Sequence, residues 1–164
     1  MVPLDKIKDL ANQRKKENLG FFKTLRKQKP KNLDQIAQQT HDEVFQEIDC
    51  LKCANCCKTT GPLFTDADIN RIARHFNVKP ATFIQTYLRI DEDDDYVLQS
   101  TPCSFLGDDN YCSIYEVRPK ACREYPHTDR RKLYQIGTIT IANTGICPAA
   151  YEIVERMKDR LPVR

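Results

Sequence analysis

Apolar positions at Leu4, Ile7, Leu10 and Ala11 recur with helical spacing and predict a helix over residues 3–19. Gly20 is expected to interrupt it, after which Phe21, Phe22 and Leu25 carry an apolar side as far as Pro30. Asn32 stands where it can cap a second helix, whose Leu33, Ile36, Ala37, Val44, Phe45 and Ile48 keep the helical period up to Asp49. Thr65-Asp66-Ala67-Asp68 places a carboxylate near the capping-box position ahead of Ile69, Ile72, Ala73 and Phe76, which marks another helix start. Pro80 opens the next helix, with Phe83, Tyr87 and Leu88 on its apolar side. Pro148 opens a terminal one bearing Ile153, Val154, Met157 and Leu161.

Other stretches carry the pattern of strands. Tyr96–Gln99 is one, and Pro102–Leu106 with Tyr111–Tyr115 reads as a hairpin around Gly107-Asp108-Asp109-Asn110. If Leu106 faces Tyr111, then Phe105 faces Cys112 and Cys103 faces Ile114, which puts both thiols on one face as diagonal neighbours roughly 7–8 Å apart. Leu133–Ala142 is rich in β-branched residues and is expected to be a strand. Pro119 suits the first position of a short helix ending before Pro126, with Cys122 in the first turn, where the helix dipole favours a thiolate. The acidic loop Asp91–Asp95 lacks the loop glycine and distal bidentate Glu of a calcium loop and reads as a solvated turn. The expected fold class is α+β, a mostly helical small domain with a short β-hairpin or sheet, organised around a cysteine metal centre.

Charge divides the chain. Residues 1–31 carry ten Lys/Arg against Asp5, Asp9 and Glu17, so they are read as a basic amphipathic N-terminal arm preceding a cysteine-cluster metal-binding domain over residues 32–164. The whole-chain net charge of +3 counts every thiol as neutral; eight thiolates and two zinc ions would turn it into −1, so overall basicity is no argument for a nucleic-acid partner. Met1–Leu10 lacks the unbroken apolar stretch of a secretory signal, and no run approaches the roughly 18 apolar residues of a membrane span. A cytoplasmic protein is expected, and in a reducing compartment clustered cysteines point to metal ligation or redox chemistry instead of disulfides.

The cysteines are the main chemical signal. Cys50, Cys53, Cys56 and Cys57 form CxxCxxCC, and Cys103, Cys112, Cys122 and Cys147 follow singly. Zinc takes four thiolates tetrahedrally, and an iron-sulfur cluster also takes four, so eight cysteines suit two sites. Buried structural cysteine is the bland alternative, but Lys52, Asn55 and Lys58 flank the cluster where a core segment would be apolar. A thiol-disulfide motif would be expected to open a helix after a strand, and this one follows a helix.

Several stretches resemble the YkgJ-like CxxCxxCC cysteine-cluster family. Beyond Cys50–Cys57 they are Phe64-Thr65-Asp66-Ala67-Asp68-Ile69, Pro102-Cys103-Ser104-Phe105-Leu106, the run from Tyr111 to Pro119, Ala121-Cys122-Arg123-Glu124-Tyr125-Pro126, and Cys147-Pro148. The resemblance implies chelation of zinc or iron. Some relatives are described as iron-sulfur proteins, and the module also looks like the cysteine region of flagellin lysine methylases. It implies no settled reaction, and residues 1–31 lie outside it.

Adjacent Cys56 and Cys57, if the backbone is extended there, point to opposite sides and serve different centres. Cys50, Cys53 and Cys56 then resemble a ferredoxin triplet completed by a distant Cys-Pro such as Cys147-Pro148. The second set is Cys57, Cys103, Cys112 and Cys122. Arg118, Lys120 and Arg123 flank Cys122 and could offset thiolate charge. His127 could replace one ligand, whereas His41 and His75 lie on helices and read as surface or partly buried residues. The leading expectation is a metal-binding protein holding zinc or an iron-sulfur cluster. The alternatives are a cluster-dependent redox or peptide-modifying enzyme, and nucleic-acid binding through the basic arm with Phe21 and Phe22 available to stack.

Overall fold

The first long helix does not stop at Gly20. In a computed structural model describing residues 2–161, it runs unbroken as α1, Ile7–Gln28. A glycine in a helix interior costs about 1 kcal/mol relative to alanine, which is too little to break a helix buried along one side by Ile7, Ala11, Phe21, Phe22 and Leu25. The helix ends instead at Lys29, whose left-handed backbone (φ 46°) returns its N–H to the Leu25 carbonyl just before Pro30.

The chain continues as α2 (Leu33–Glu47), the short α3 (Cys50–Cys53) and α4 (Asn55–Thr59), β1 (Leu63–Phe64), α5 (Asp66–His75), α6 (Pro80–Tyr87), β2 (Leu88–Ile90), β3 (Tyr96–Leu98), α7 (Lys120–Glu124), α8 (Gly137–Thr144) and α9 (Pro148–Arg160), with 3₁₀ turns at Tyr115–Val117 and Leu133–Ile136. This is a mostly helical α+β architecture. It forms two compact units, Met1–Asp49 with Pro126–Arg164, and Cys50–Tyr125. The outermost ends of the expected arm and domain, residue 1 and residues 162–164, lie outside the described residues.

In the first unit, α1 packs on α8 and α9, and α2 packs on α9. Phe21 and Phe22 are only 6% and 5% exposed, so the expectation that they are available to stack on bases is wrong. They are core residues of this unit, whereas the Lys and Arg residues of α1 are exposed.

The segment expected as a strand over Leu133–Ala142 is helical, a 3₁₀ turn followed by α8. Packing overrides its β-branched preference. Gly137, Thr140, Ile141 and Thr144 fall on one buried side at helical spacing, and the hydroxyls of Thr140 and Thr144 donate to the carbonyls of Ile136 and Ile141, so no polar group is stranded. Gly137 admits the close approach: a Cβ there would stand 2.9–3.0 Å from three carbons of Phe22.

In the second unit β1, β3 and β2 form an antiparallel sheet in that order, with Phe64 opposite Tyr96 and Leu88 opposite Leu98. The acidic segment is the turn joining β2 to β3, closed by the Asp91 carboxylate accepting the backbone N–H groups of Asp93 and Asp95. Phe64, Ile69, Ile72, Phe83, Leu98, Phe105 and Ile114 make the core, against which Cys103 and Cys112 pack. The capping box at Thr65 and Asp68 is formed. The expected hairpin is not a pair of strands. It is one bridge, Leu106 with Cys112, in a register one residue away from the expected facing of Leu106 and Tyr111.

Candidate metal centre

Two single-turn helices deliver the first four cysteines, Cys50 and Cys53 on α3, Cys56 and Cys57 on α4. Ala54 joins them in the left-handed region (φ 49°), which costs an alanine about 1–2 kcal/mol. It is offset locally: Ala54 is 5% exposed, its N–H donates to the Cys50 carbonyl, and its own carbonyl accepts from Lys58. Because Cys56 and Cys57 are helical and joined by a hydrogen bond, the premise that an extended backbone sends them to opposite sides does not hold.

Three of the single cysteines, Cys103, Cys112 and Cys122, come from elsewhere in the same unit. The N–H of Cys103 donates to the carbonyl of Cys57 at 2.8 Å. The Leu106–Cys112 bridge, with Ser113 N–H on the Phe105 carbonyl, folds Cys112 back beside Cys103. At the tip of that turn the Asn110 side-chain amide donates to the Lys52 carbonyl, tying the turn to α3. Cys122 lies in the first turn of α7, one residue nearer the helix start than expected because Pro119 is the cap and not the first helical residue.

Two residues of α5 hold the approach to α7. The Asp68 carboxylate, 1% exposed, accepts from the Thr65 backbone and hydroxyl through Oδ2, and from Arg71 Nη2 (2.6 Å) and the Lys120 backbone N–H (3.0 Å) through Oδ1. Arg71 also donates to the carbonyls of Val117 and Arg118. Sequence reasoning found Asp68 only as a cap and missed Arg71, since nothing local announces a partner so far along the chain. Arg118 lies 3.8 Å from the centre of the Tyr115 ring and donates to the Tyr115 carbonyl.

The thiols feel one another. Burial pushes the Cys122 thiol up to about 12, and the charges of Cys57, Cys103 and Cys112 add to the rise while Arg118 opposes it. This outweighs the helix dipole, which was expected to favour a thiolate there. Burial likewise raises Cys103 and Cys112; charge on Cys57 raises both further. Cys57 moves the other way, to about 7, chiefly through its hydrogen bond with Cys56, with Lys58 assisting against burial. Four like-charged sulfurs in one neighbourhood cannot all ionise without a cation among them.

None of the eight cysteines is in a disulfide. Cys147 belongs to the first unit, where it is buried as the N-cap of α9 with its sulfur accepting the Ala150 N–H. His127 lies in that unit too, His75 is exposed, and His41 is half-buried with Nδ1 2.9 Å from the Thr128 hydroxyl. Among the described residues, no three His, Cys, Asp or Glu side chains stand in a finished metal-ligand array. No helix among them is long and apolar enough to cross a membrane.

Compared with protein families, residues 49–148 match the model named CxxCxxCC, described as "Putative zinc- or iron-chelating domain". The chain belongs to the CxxCxxCC family. The matched stretch holds all eight cysteines. No curated protein and no solved structure matches the chain. The sulfur donors of this CxxCxxCC domain suit the metals in the family's description, since thiolates are soft ligands that select zinc and iron over magnesium or calcium.

Proposed function

We propose that this CxxCxxCC domain binds zinc or iron through cysteine thiolates, with Cys57, Cys103, Cys112 and Cys122 as one set of four ligands. The observation that carries this reading is the backbone bond from Cys103 to Cys57, together with the Leu106–Cys112 bridge, which gathers thiols from separate stretches of one unit. Ligation would require these sulfurs to converge on an ion, at about 2.3 Å for zinc. Cys50, Cys53 and Cys56 belong to the same unit and are offered as donors for further metal.

An all-thiolate zinc site is closed and stabilises a fold, whereas an iron-sulfur cluster adds electron transfer. A reducing compartment such as the cytoplasm keeps such thiols available as ligands. The test is metal and acid-labile sulfide analysis of protein purified without oxygen. Zinc or iron bound to the wild-type chain and depleted by Cys57→Ser or Cys122→Ser supports the reading. A folded wild-type protein free of both metals overturns it.

A further inference from the structure

We propose that Asp68 and Arg71 are positioning residues for the metal centre, locking the backbone from Val117 to Lys120 so that the Cys122 thiol stands with those of Cys57, Cys103 and Cys112. This rests on the four-thiolate reading above and extends it to residues that touch no metal.

The segment needs an external brace. It is an irregular connection between a three-residue 3₁₀ turn and the five-residue α7. Helices that short do not hold themselves in water. Pro119 contributes no N–H, and the Val117 and Arg118 carbonyls and the Lys120 N–H have no helical partner in their own element. Side chains of α5 meet all three. Arg71 takes Val117 O at 3.3 Å and Arg118 O at 2.9 Å, and Asp68 takes Lys120 N–H at 3.0 Å. Asp68 and Arg71 are joined at 2.6 Å, so the three contacts act as one clamp. Cys122 follows two residues later.

A capping box alone would not explain this arrangement. Capping α5 occupies Asp68 with Thr65 through Oδ2, whereas Oδ1 is turned to Arg71 and Lys120. Nor does Arg71 contribute to the cap. Its guanidinium, on a side chain 32% exposed, is directed back to two carbonyls that have no other role in α5. α5 is itself fixed by the buried Ile69, Ile72 and Ala73, so the clamp transmits the position of a well-packed helix to a short, irregular segment. Residues that orient metal ligands in this manner typically change metal affinity by about 10–100-fold when replaced.

Cobalt(II) titration of the full chain, read by thiolate-to-cobalt absorbance and by competition with a chelator, tests the inference. Asp68→Asn and Arg71→Gln are expected to weaken cobalt binding by about 10–100-fold and to lower the charge-transfer intensity per cobalt toward that of Cys122→Ser. Ile72→Val, a buried change in the same helix, is expected to lower thermal stability while leaving affinity and intensity unchanged. Arg71→Gln keeps the buried carboxylate and serves if Asp68→Asn does not fold. Wild-type affinity and intensity in Arg71→Gln, or equal losses in Ile72→Val, overturn the inference while leaving the four-thiolate reading intact provided Cys122→Ser still loses the signal. Full cobalt-thiolate intensity in Cys122→Ser overturns both.

Discussion

The Asp68 carboxylate accepts the backbone N–H of Lys120 at 3.0 Å, across 52 residues of chain, and with it fixes the start of the helix that carries Cys122. Burial alone would raise the Asp68 pKa. Hydrogen bonds from Arg71, from Thr65 and from the Lys120 backbone overcome it and hold the carboxyl below the usual carboxylate range. A folded pKa below the unfolded one means that the group stabilises the protein above the unfolded value, near 3.9, and that this contribution fades as pH falls through the folded value. Asp68→Asn is therefore expected to cost about 1–3 kcal/mol at neutral pH, and the gap between the two proteins should narrow below about pH 4. Unfolding measured for both proteins from neutral to acidic pH checks the sign. A gap that widens in acid contradicts it.

Gly137 and Phe22 make a second test, in the unit without the seven clustered cysteines. A methyl group at Gly137 would press on Phe22 Cβ, Cγ and Cδ1 at 2.9–3.0 Å. Gly137→Ala should destabilise by about 1–3 kcal/mol through overpacking, although alanine is the better helix former. Phe22→Leu on the same background should recover part of that loss. Additive melting shifts in the double variant would show that the two positions do not share the space described.

Phe22→Ala itself should cost about 3–5 kcal/mol because the ring is buried. If Phe22 were a base-stacking residue, the same change would leave stability near wild type and weaken binding to single-stranded nucleic acid. Thermal melts and a low-salt binding assay of the one variant separate the two outcomes.

Ala54 holds its left-handed conformation between the two halves of the cysteine cluster. Glycine adopts that region freely, so Ala54→Gly relieves backbone strain but surrenders a buried methyl group and loosens the unfolded chain. The expected net change in stability is within about 1 kcal/mol, with metal content unchanged. Loss of bound metal in this variant would mean that the rigidity of the turn, and not only its shape, matters to the ligands.

Much of this protein was legible from residue order. The helices through Leu33, Asp66, Pro80 and Pro148 emerge where apolar spacing and starting residues place them, because each signal is local: a box of Thr65 and Asp68, a proline at a first turn, a period on one face. Errors arose where distant packing decides. Thr138-Ile139-Thr140-Ile141 has the composition of a strand and is helical because one side of it is buried and Gly137 fits against Phe22. Gly20 does not end α1, since the buried residues on either side of it outweigh one glycine. The facing of Leu106 was off by one residue, a shift that turn chemistry alone does not fix.

The candidate centre divides in the same way. Eight cysteines and their spacing announce metal chemistry by residue type, and grouping Cys57 with Cys103, Cys112 and Cys122 names the thiols whose charges act on one another. The extended backbone invoked to separate Cys57 from Cys56 is absent, so local parity gives no ground for dividing the ligands. Arg71 carried no signal at all, as an exposed-looking arginine at helical spacing is ordinary until the carbonyls it reaches are known.

X-ray absorption at the metal edge of the protein, prepared without oxygen, tests the central claim most directly. The account predicts a first shell of sulfur, near 2.3 Å for zinc, that loses sulfur and gains a lighter scatterer when Cys122 is changed to serine. A shell of oxygen and nitrogen, or a sulfur count untouched by that substitution, would contradict it.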